Sequence, residues 1–461
     1  GPLKKIKLFP PFEQERAAGV VLDILQKLGS GSITLLRDSK PSDERNNSLV
    51  MLGVLVCKKT DAKEGEFVNL ITVSGISCSL KGEIPGIFVE PVVSNGQILK
   101  ALEENDLEIH ELTDKIKKEV LPQKQAELKK QREKLCDASL LKVFDKYSFC
   151  CADKKERKLL DIIDYQKTKK LPPTGTGDCC APKLLNYAFK NSLVPLSMAE
   201  TKIHFVLNGK TAQIEHTGKK PEFYPPCDSR CSLILPAILG LEILYRDSDI
   251  IVVNKQSGVL SVPGRGPEKQ DCIVNRVKRL FPDCIEQPSV HRLDMETSGL
   301  LVLAFTKEAH RELNRQFEAR KVQKKYIALI DGILAKKGIE KSGTMELFFR
   351  LDIENRPHQI WDRENGKSAV TQWQIENVEY YTAPDKSRRP ATRVTFIPHT
   401  GRTHQLRLAA ADSHGFGLPI IGDTLYGHCE KGERLLLHAS ELSFTHPRTK
   451  QKMDFLCPPE F

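Results

Sequence analysis

The densest run of chemically capable side chains is His291-Arg292-Leu293-Asp294-Met295-Glu296-Thr297-Ser298-Gly299, which is polar, closed by glycine and followed by the apolar run Leu300 to Phe305. That pattern describes a charged loop feeding a buried strand, where functional groups gather because the strand fixes their geometry. An ionised carboxylate held there offers nucleophilic or acid–base chemistry. Read alone, Asp294 is better taken as a turn or cap residue. Two later runs supply companions. Lys324-Lys325-Tyr326-Ile327-Ala328-Leu329-Ile330 is a strand that starts with two lysines and a tyrosine. In Thr400-Gly401-Arg402-Thr403-His404-Gln405-Leu406-Arg407, Gly401 permits a turn and Thr403 caps a helix running to about Asp412, with Arg407 one turn in. In isolation Tyr326 reads as a sheet-packing aromatic and Arg407 as a solvated helix residue or surface ion pair.

Other reactive side chains carry weaker signals. His291, His404, His438 and His446 include no pair at an i, i+4 ligand spacing on one helix, so hydrogen-bonding roles and no metal are expected. Cys227 and Cys231 are four apart with no second pair downstream, which argues against zinc. Cys179 and Cys180 lack an assignable His or acid partner and read as buried small apolar residues. The Pro- and Gly-rich stretch Leu171 to Pro182 matches no phosphate-loop spacing and is expected to be a structural loop, with Pro182 in the first turn of a helix.

The elements that must position these groups divide in two. A chain of 461 residues exceeds one ordinary core. Residues 11 to 99 alternate apolar runs (Leu49 to Cys57, Phe67 to Val73, Ile87 to Val93) with Gly, Ser, Asn and Asp clusters, which predicts short strands and turns. Leu102 to Leu135 has no Gly and is rich in Glu, Lys, Gln and Leu, which predicts an exposed helical protrusion split at Pro122. Its first part is acidic and its second basic, as in a self-pairing hairpin. Helices around Leu141 to Phe144 and Pro182 to Lys190, and the alternation Ile203 to Val206, complete an N-terminal accessory α+β domain over 1–215. Its helical, coiled-coil-like insertion lies at about 101–138. Residues 216–236 have linker composition, and 237–461 form the second domain. Gly1-Pro2 reads as a scar of tag removal. No apolar run approaches the roughly 18 residues of a membrane span, so no membrane partner is expected. Thirteen scattered cysteines suit a reducing cytoplasm, and the formal charge of +10 would draw a polyanion without naming one.

From about Leu241 to Pro458 the quoted runs follow the order of the motifs of the RluA family of pseudouridine synthases, which the chain resembles there. His291 to Gly299 resembles the catalytic motif, Lys325-Tyr326 the tyrosine motif and Thr400 to Arg407 the arginine motif; Ile420-Ile421-Gly422-Asp423-Thr424-Leu425-Tyr426-Gly427 and Leu436-Leu437-His438-Ala439 also match. Gln256 departs, standing where relatives commonly carry Pro before the Ser-Gly turn, which touches strand exit more than chemistry. The N-terminal half carries no such resemblance, and no S4-like domain is evident in it.

The resemblance implies an α+β catalytic domain on a large, mainly antiparallel sheet with a cleft across its middle. It implies an isomerase that turns uridine into pseudouridine in RNA: the N1 to C1′ bond breaks, the uracil turns, and C5 joins C1′. No atoms are gained or lost, so no cofactor is expected. Asp294 is then the catalytic carboxylate, by attack on C1′, attack on the base, or assisted elimination to a glycal. Desolvation would raise its pKa, and Arg407 is the cation expected to pair with it. Tyr326 would stack on the uracil and serve proton transfer at C5, Leu437 would floor the pocket, and Arg292 would fill the gap left by the flipped uridine. Lys255, Lys324, Lys325 and Arg402 are expected as phosphate contacts. The expected partner is large-subunit rRNA, with tRNA, both RNAs, or non-catalytic RNA binding in ribosome assembly as alternatives. A monomer is expected.

Overall fold

Ala17, Val21, Ile24 and Leu28 recur at helical spacing and bury one face of α1 (Glu15–Ser30), which stops at Gly31 in the left-handed conformation. This helix corrects the expectation of strands and turns throughout 11 to 99; its 3.6-residue periodicity outweighs the turn-rich composition around it. The computed structural model describes residues 12–37, 47–59, 66–208, 211–214, 221–227, 229–266 and 269–461, and the chain divides into two units between Gly240 and Leu241. The expected tag scar lies outside the described residues. No described helix is long and apolar enough to cross a membrane.

In the first unit α1 is followed by β1 (Ile33–Arg37), β2 (Asn47–Lys59), β3 (Phe67–Val73), β4 (Cys78–Gly82) and β5 (Ile87–Phe88), then by α2 (Asn95–Lys118) and α3 (Pro122–Phe144). A short hairpin of β6 (Ser148–Cys150) and β7 (Glu156–Lys158) leads through the single turns α4 (Leu159–Ile162) and α5 (Tyr165–Thr168) to α6 (Cys180–Lys190). The long β8 (Leu193–Asn208), β9 (Thr211–Ile214) and α7 (Cys231–Leu239) complete it. Seven strands form one sheet in the order β4-β1-β9-β8-β2-β3-β5, and α1 packs its apolar stripe on that sheet. Ser94 and Gln97 cap α2 reciprocally. Asn105 donates to Ser139 at 3.0 Å and Lys142 pairs with Glu104, so α2 and α3 lie antiparallel, in a hairpin reaching from Asn95 to Phe144 rather than 101–138. The expected linker is also corrected. Phe223 bridges Thr201 in β8, and the apolar run of α7 buries Cys231, Ile234, Leu235, Ile238 and Leu239, so these residues belong to the first unit's core.

The second unit contains β10 (Glu242–Arg246), β11 (Ile250–Lys255), α8 (Ile273–Leu280), β12 (Ser298–Ala304), α9 (Lys307–Glu318), β13 (Gln323–Asp331), β14 (Ser342–Leu351) and β15 (Gln359–Trp361). It continues with β16 (Lys367–Thr382), β17 (Arg388–Pro398), α10 (Gln405–Ala411), β18 (Leu437–Thr445) and β19 (Lys452–Leu456). Ten strands make one sheet ordered β10-β11-β12-β18-β13-β17-β16-β14-β15, with β19 on β18. The fold class is α+β. Every pairing in this sheet is antiparallel except β12 with β18, where Ser298 faces His438 and Gly299 faces Ala439.

That parallel pairing places the starts of β12 and β18 side by side, so the loop before β12 opens beside Leu437. Ala439 also pairs with Tyr326, which brings β13 into the same row. Gly299 has a φ of 116°, and a Cβ there would lie 2.4 Å from the Ala439 carbonyl oxygen. Close approach of the two backbones therefore requires glycine. Gly299→Ala is expected to destabilise the second unit by about 2–5 kcal/mol in denaturant unfolding, from backbone strain and overpacking together. Gly401→Ala, where a Cβ meets nothing within 4 Å, should leave the midpoint nearly unchanged.

Candidate active site

The 255–261 turn grips the loop before β12 through its main chain. Lys255 ends β11 fully buried, and its Nζ donates to the carbonyls of Gln256 (3.0 Å), Val259 (2.7 Å) and Met295 (2.9 Å). Ser261 Oγ donates to the Leu293 carbonyl at 2.6 Å and accepts from the Leu293 N–H at 3.0 Å. Ser257 donates to the Glu296 carbonyl at 2.6 Å, and the Gly258 N–H to that of Met295 at 2.8 Å. Residues 293, 295 and 296 are thus pinned around Asp294. Its half-buried carboxylate takes no hydrogen bond among the described residues.

Lys255 does not fit the expected phosphate contact. Burial lowers its pKa to about 7 against the opposing charge of Asp294, and its three donors are already committed to carbonyls. It positions the loop.

Arg407 reaches the site from α10 in a way the sequence did not show. Thr403 does not cap that helix; His404 occupies the N-cap position with φ 55° and ψ 19°, with no side-chain cap. The start of α10 is held by the Gln405 amide. Its Oε1 accepts from Thr400 Oγ1 (2.8 Å) and the Arg402 N–H (3.0 Å), and its Nε2 donates to the Val370 carbonyl (3.0 Å) and Thr371 Oγ1 (2.9 Å). Arg407 is buried. Its Nε donates to Asp423 Oδ2 at 2.9 Å, its Nη2 to Asp423 Oδ1, and the same Nη2 lies 2.9 Å from Glu296 Oε2.

Asp423 Oδ1 also accepts from the N–H groups of Leu425 (2.9 Å) and Tyr426 (3.0 Å), and Glu296 Oε1 accepts from Thr424 Oγ1 at 2.6 Å. The expected Arg407–Asp294 pair is therefore replaced by a bidentate pair with Asp423 and a second contact to Glu296. Asp294 acts on Arg407 through its field alone. Burial works against the charged guanidinium, and the hydrogen bonds and negative charges around it outweigh that, so Arg407 stays ionised.

Tyr326 stands after a register shift between Lys325 and itself in the β13–β18 pairing, which re-aims its ring. It packs against the cluster that contains buried Leu437. Burial and then the charge of Asp294 push its hydroxyl well above the usual tyrosine range, so it remains a proton donor. Lys324 is half-buried and its pKa is lowered by burial; Lys325 pairs with Glu441 at 2.9 Å. Arg292 and Arg402 are exposed, and Arg402 Nε donates to the Ser368 carbonyl at 3.0 Å. His404 Nδ1 lies 2.7 Å from the Tyr426 hydroxyl, which accepts from the Gln359 N–H, and the Tyr426 ring lies 5.6 Å from the Arg407 guanidinium. Glu296, Asp423, Thr424, Tyr426 and Lys255's anchoring role were missed by residue-level reasoning. For Glu296 the signal was the polar 291–299 run; Asp423, Thr424 and Tyr426 stand in the 420–427 run between apolar residues and glycines, and Lys255 ends an apolar strand.

A family model for RNA pseudouridylate synthase matches residues 249–412. The dual-specificity RNA pseudouridine synthase RluA of Yersinia pestis is 45% identical over 222 residues, covering 48% of this chain and 99% of that protein. The chain belongs to the RluA family. It is thus an RNA pseudouridine synthase, an isomerase. RluA of Escherichia coli (strain K12) is 43% identical over 224 residues, covering 48% of this chain and 94% of that protein. Among solved structures, Human RNA Pseudouridylate Synthase Domain Containing 1 is 30% identical over 48% of this chain and 84% of that one, with a TM-score of 0.39.

In this RluA-family unit two histidines are held by hydrogen bonds away from the Arg407 cluster. His291 Nε2 accepts from the Val302 N–H at 3.1 Å and its ring stacks on Phe317. His438 Nε2 donates to the Cys457 carbonyl at 2.9 Å while Nδ1 accepts from Ser298 Oγ at 2.9 Å. Burial lowers His438 to about 4. Its unfolded value is about 6.5, so in acid the unfolded chain takes up a proton that the folded chain refuses until about pH 4. Stability is whole above about 6.5 and falls through that window by at most about 1.4 kcal/mol per pH unit. His438→Gln is expected to flatten this slope in urea titrations between about pH 7 and 4.5. Separately, Asp423→Asn leaves a buried guanidinium short of a charge and should cost about 3 kcal/mol in the same assay, against about 1 kcal/mol for Thr424→Ala.

Proposed function

We propose that Asp294 is the carboxylate that initiates uridine isomerisation, and that the substrate is structured RNA, with large-subunit rRNA the first candidate. One observation carries this reading: the main chain is clamped on both sides of Asp294 while its carboxylate stays free, facing the fields of Arg407, Lys255 and Tyr326. A group held in place by its neighbours' backbones, with its own oxygens unspent, is prepared to react. Arg407, kept ionised by Asp423 and Glu296, and Lys255 lie within electrostatic reach of the Asp294 carboxylate. Tyr326 packs against the cluster that contains Leu437, where its ring would support the detached uracil and its protonated hydroxyl would serve at C5. The base must leave its stack, and exposed Arg292 on the same loop would occupy the gap. Arg402, Lys324 and Lys325 would meet phosphates.

Large-subunit rRNA and tRNA present the same chemistry to this site. The second reading, modification of tRNA or of both RNAs, is favoured by the dual specificity stated for the relatives from Yersinia pestis and Escherichia coli. Mapping pseudouridines in rRNA and tRNA incubated with wild-type chain and with Asp294→Asn tests both. The variant should lose about 10³-fold or more in single-turnover rate while retaining RNA affinity. Equal modification by the two proteins would remove Asp294 from the mechanism, and sites confined to tRNA would replace the rRNA assignment. Arg402→Ala is expected to weaken RNA binding uniformly and to reduce the salt-dependence slope by about 1, measured by filter binding across salt concentrations.

A further inference from the structure

Cys179, Cys227 and Cys231 come together in the first unit, with their sulfurs all within 4.8 Å of one another. Cys227 and Cys231 alone were too little for a metal site; the third sulfur arrives from upstream, out of the Pro- and Gly-rich loop. Cys179 occupies the N-cap position of α6 and Cys231 opens α7, so two helix N-termini converge on the cluster. Cys179 Sγ and Cys227 Sγ lie in hydrogen-bond contact with either able to donate, and the positive ends of two helices favour a thiolate, the form of cysteine that binds metals.

The spacing is informative. Zinc–sulfur bonds of about 2.3 Å at tetrahedral angles put the sulfurs about 3.8 Å apart. Cys179 Sγ and Cys227 Sγ are 3.8 Å apart, well beyond the roughly 2.0 Å of a disulfide. We infer that Cys179, Cys227 and Cys231 bind a single thiophilic divalent cation, zinc in chemical class, with a fourth position open on the exposed side of Cys227.

A second feature supports it independently. Glu200 is buried in the same region, close enough to Cys227 to feel its charge, and its Oε1 has no hydrogen-bond partner. A carboxyl oxygen without a donor is costly beside thiolates and much less so beside a dication. Lys183, whose Nζ donates to the carbonyls of Val73 and Gly75, lies within electrostatic reach of Cys179 and partly balances the excess negative charge that three thiolates leave on one dication. Binding involves no redox step: each thiol that is still protonated releases its proton to solvent, and three S–metal bonds form. The cation would tie the 171–182 loop, the 221–227 return and α7 together, adding a cross-link to the apolar core that α7 already joins.

The test uses the full chain, purified under reducing conditions without chelator. Elemental analysis should find about one zinc per chain, and Cys227→Ser and Cys231→Ser should each lower zinc affinity by at least about 100-fold, while Cys429→Ser changes nothing. Should the variants fail to fold, the wild-type chain decides. After chelation and reconstitution with cobalt it should show a thiolate-to-cobalt charge-transfer band, and added zinc should slow alkylation of Cys227. A wild-type chain that takes up neither zinc nor cobalt overturns the proposal. So does a Cys179–Cys227 disulfide found by mass spectrometry in that preparation, or zinc retained by the Cys227→Ser/Cys231→Ser double variant.

Discussion

A guanidinium buried inside a protein must be fully compensated, and the second unit is organised around meeting that demand for Arg407. Asp423 supplies a bidentate partner and Glu296 a further carboxylate. These three residues come from α10, from the 420–427 turn and from the loop before β12, segments far apart in sequence. Removing any one charge strands the others, so the cluster fixes the relative placement of all three segments. Thr424 and Tyr426 extend it: one donates to Glu296, the other places its ring against Arg407 and its hydroxyl on His404. The sheet beneath contributes the complementary constraint, since the close β12–β18 approach at Gly299 sets where the loop carrying Asp294 joins the sheet.

Much of this was legible in the sequence, for a physical reason. Strands β11, β12 and β13 are short, apolar and bounded by polar or Gly-containing runs, and such patterns survive any tertiary arrangement. The type of each site residue was legible too, because Asp294, Tyr326 and Arg407 sit in compact motifs. Pairing was not. Three carboxylates lie within reach of Arg407, and sequence order says nothing of which two will touch it. Lys255 shows the same gap in another form. A lysine after an apolar strand looks like a surface cation, and only the folded turn reveals three carbonyls gathered about its ammonium.

The first unit was less legible. The stripe of α1 lies within a strand-rich region and was masked by turn-forming neighbours, while α7 carries Pro, Cys and Ser nearby, a composition that reads as linker although its own residues are almost wholly apolar. Composition averages over a window; burial depends on which face each residue takes. The cysteines illustrate this further, because spacing rules search along the chain and Cys179 meets Cys227 and Cys231 only across it.

Two aspartates in one site show how environment assigns roles. Asp423 accepts from both arms of Arg407 and from two backbone N–H groups, so its lone pairs are filled and its charge is held low in energy. Nothing is left with which to attack a carbon. Asp294 is half-buried, flanked by residues whose backbones are tied down, and its oxygens take no hydrogen bond among the described residues. Stabilising it in the same way would lower its nucleophilicity. The Asp423–Arg407–Glu296 cluster sets two carboxylates against one guanidinium and keeps that guanidinium's hydrogen bonds occupied. Asp294 stays outside those contacts, as the role proposed for it requires.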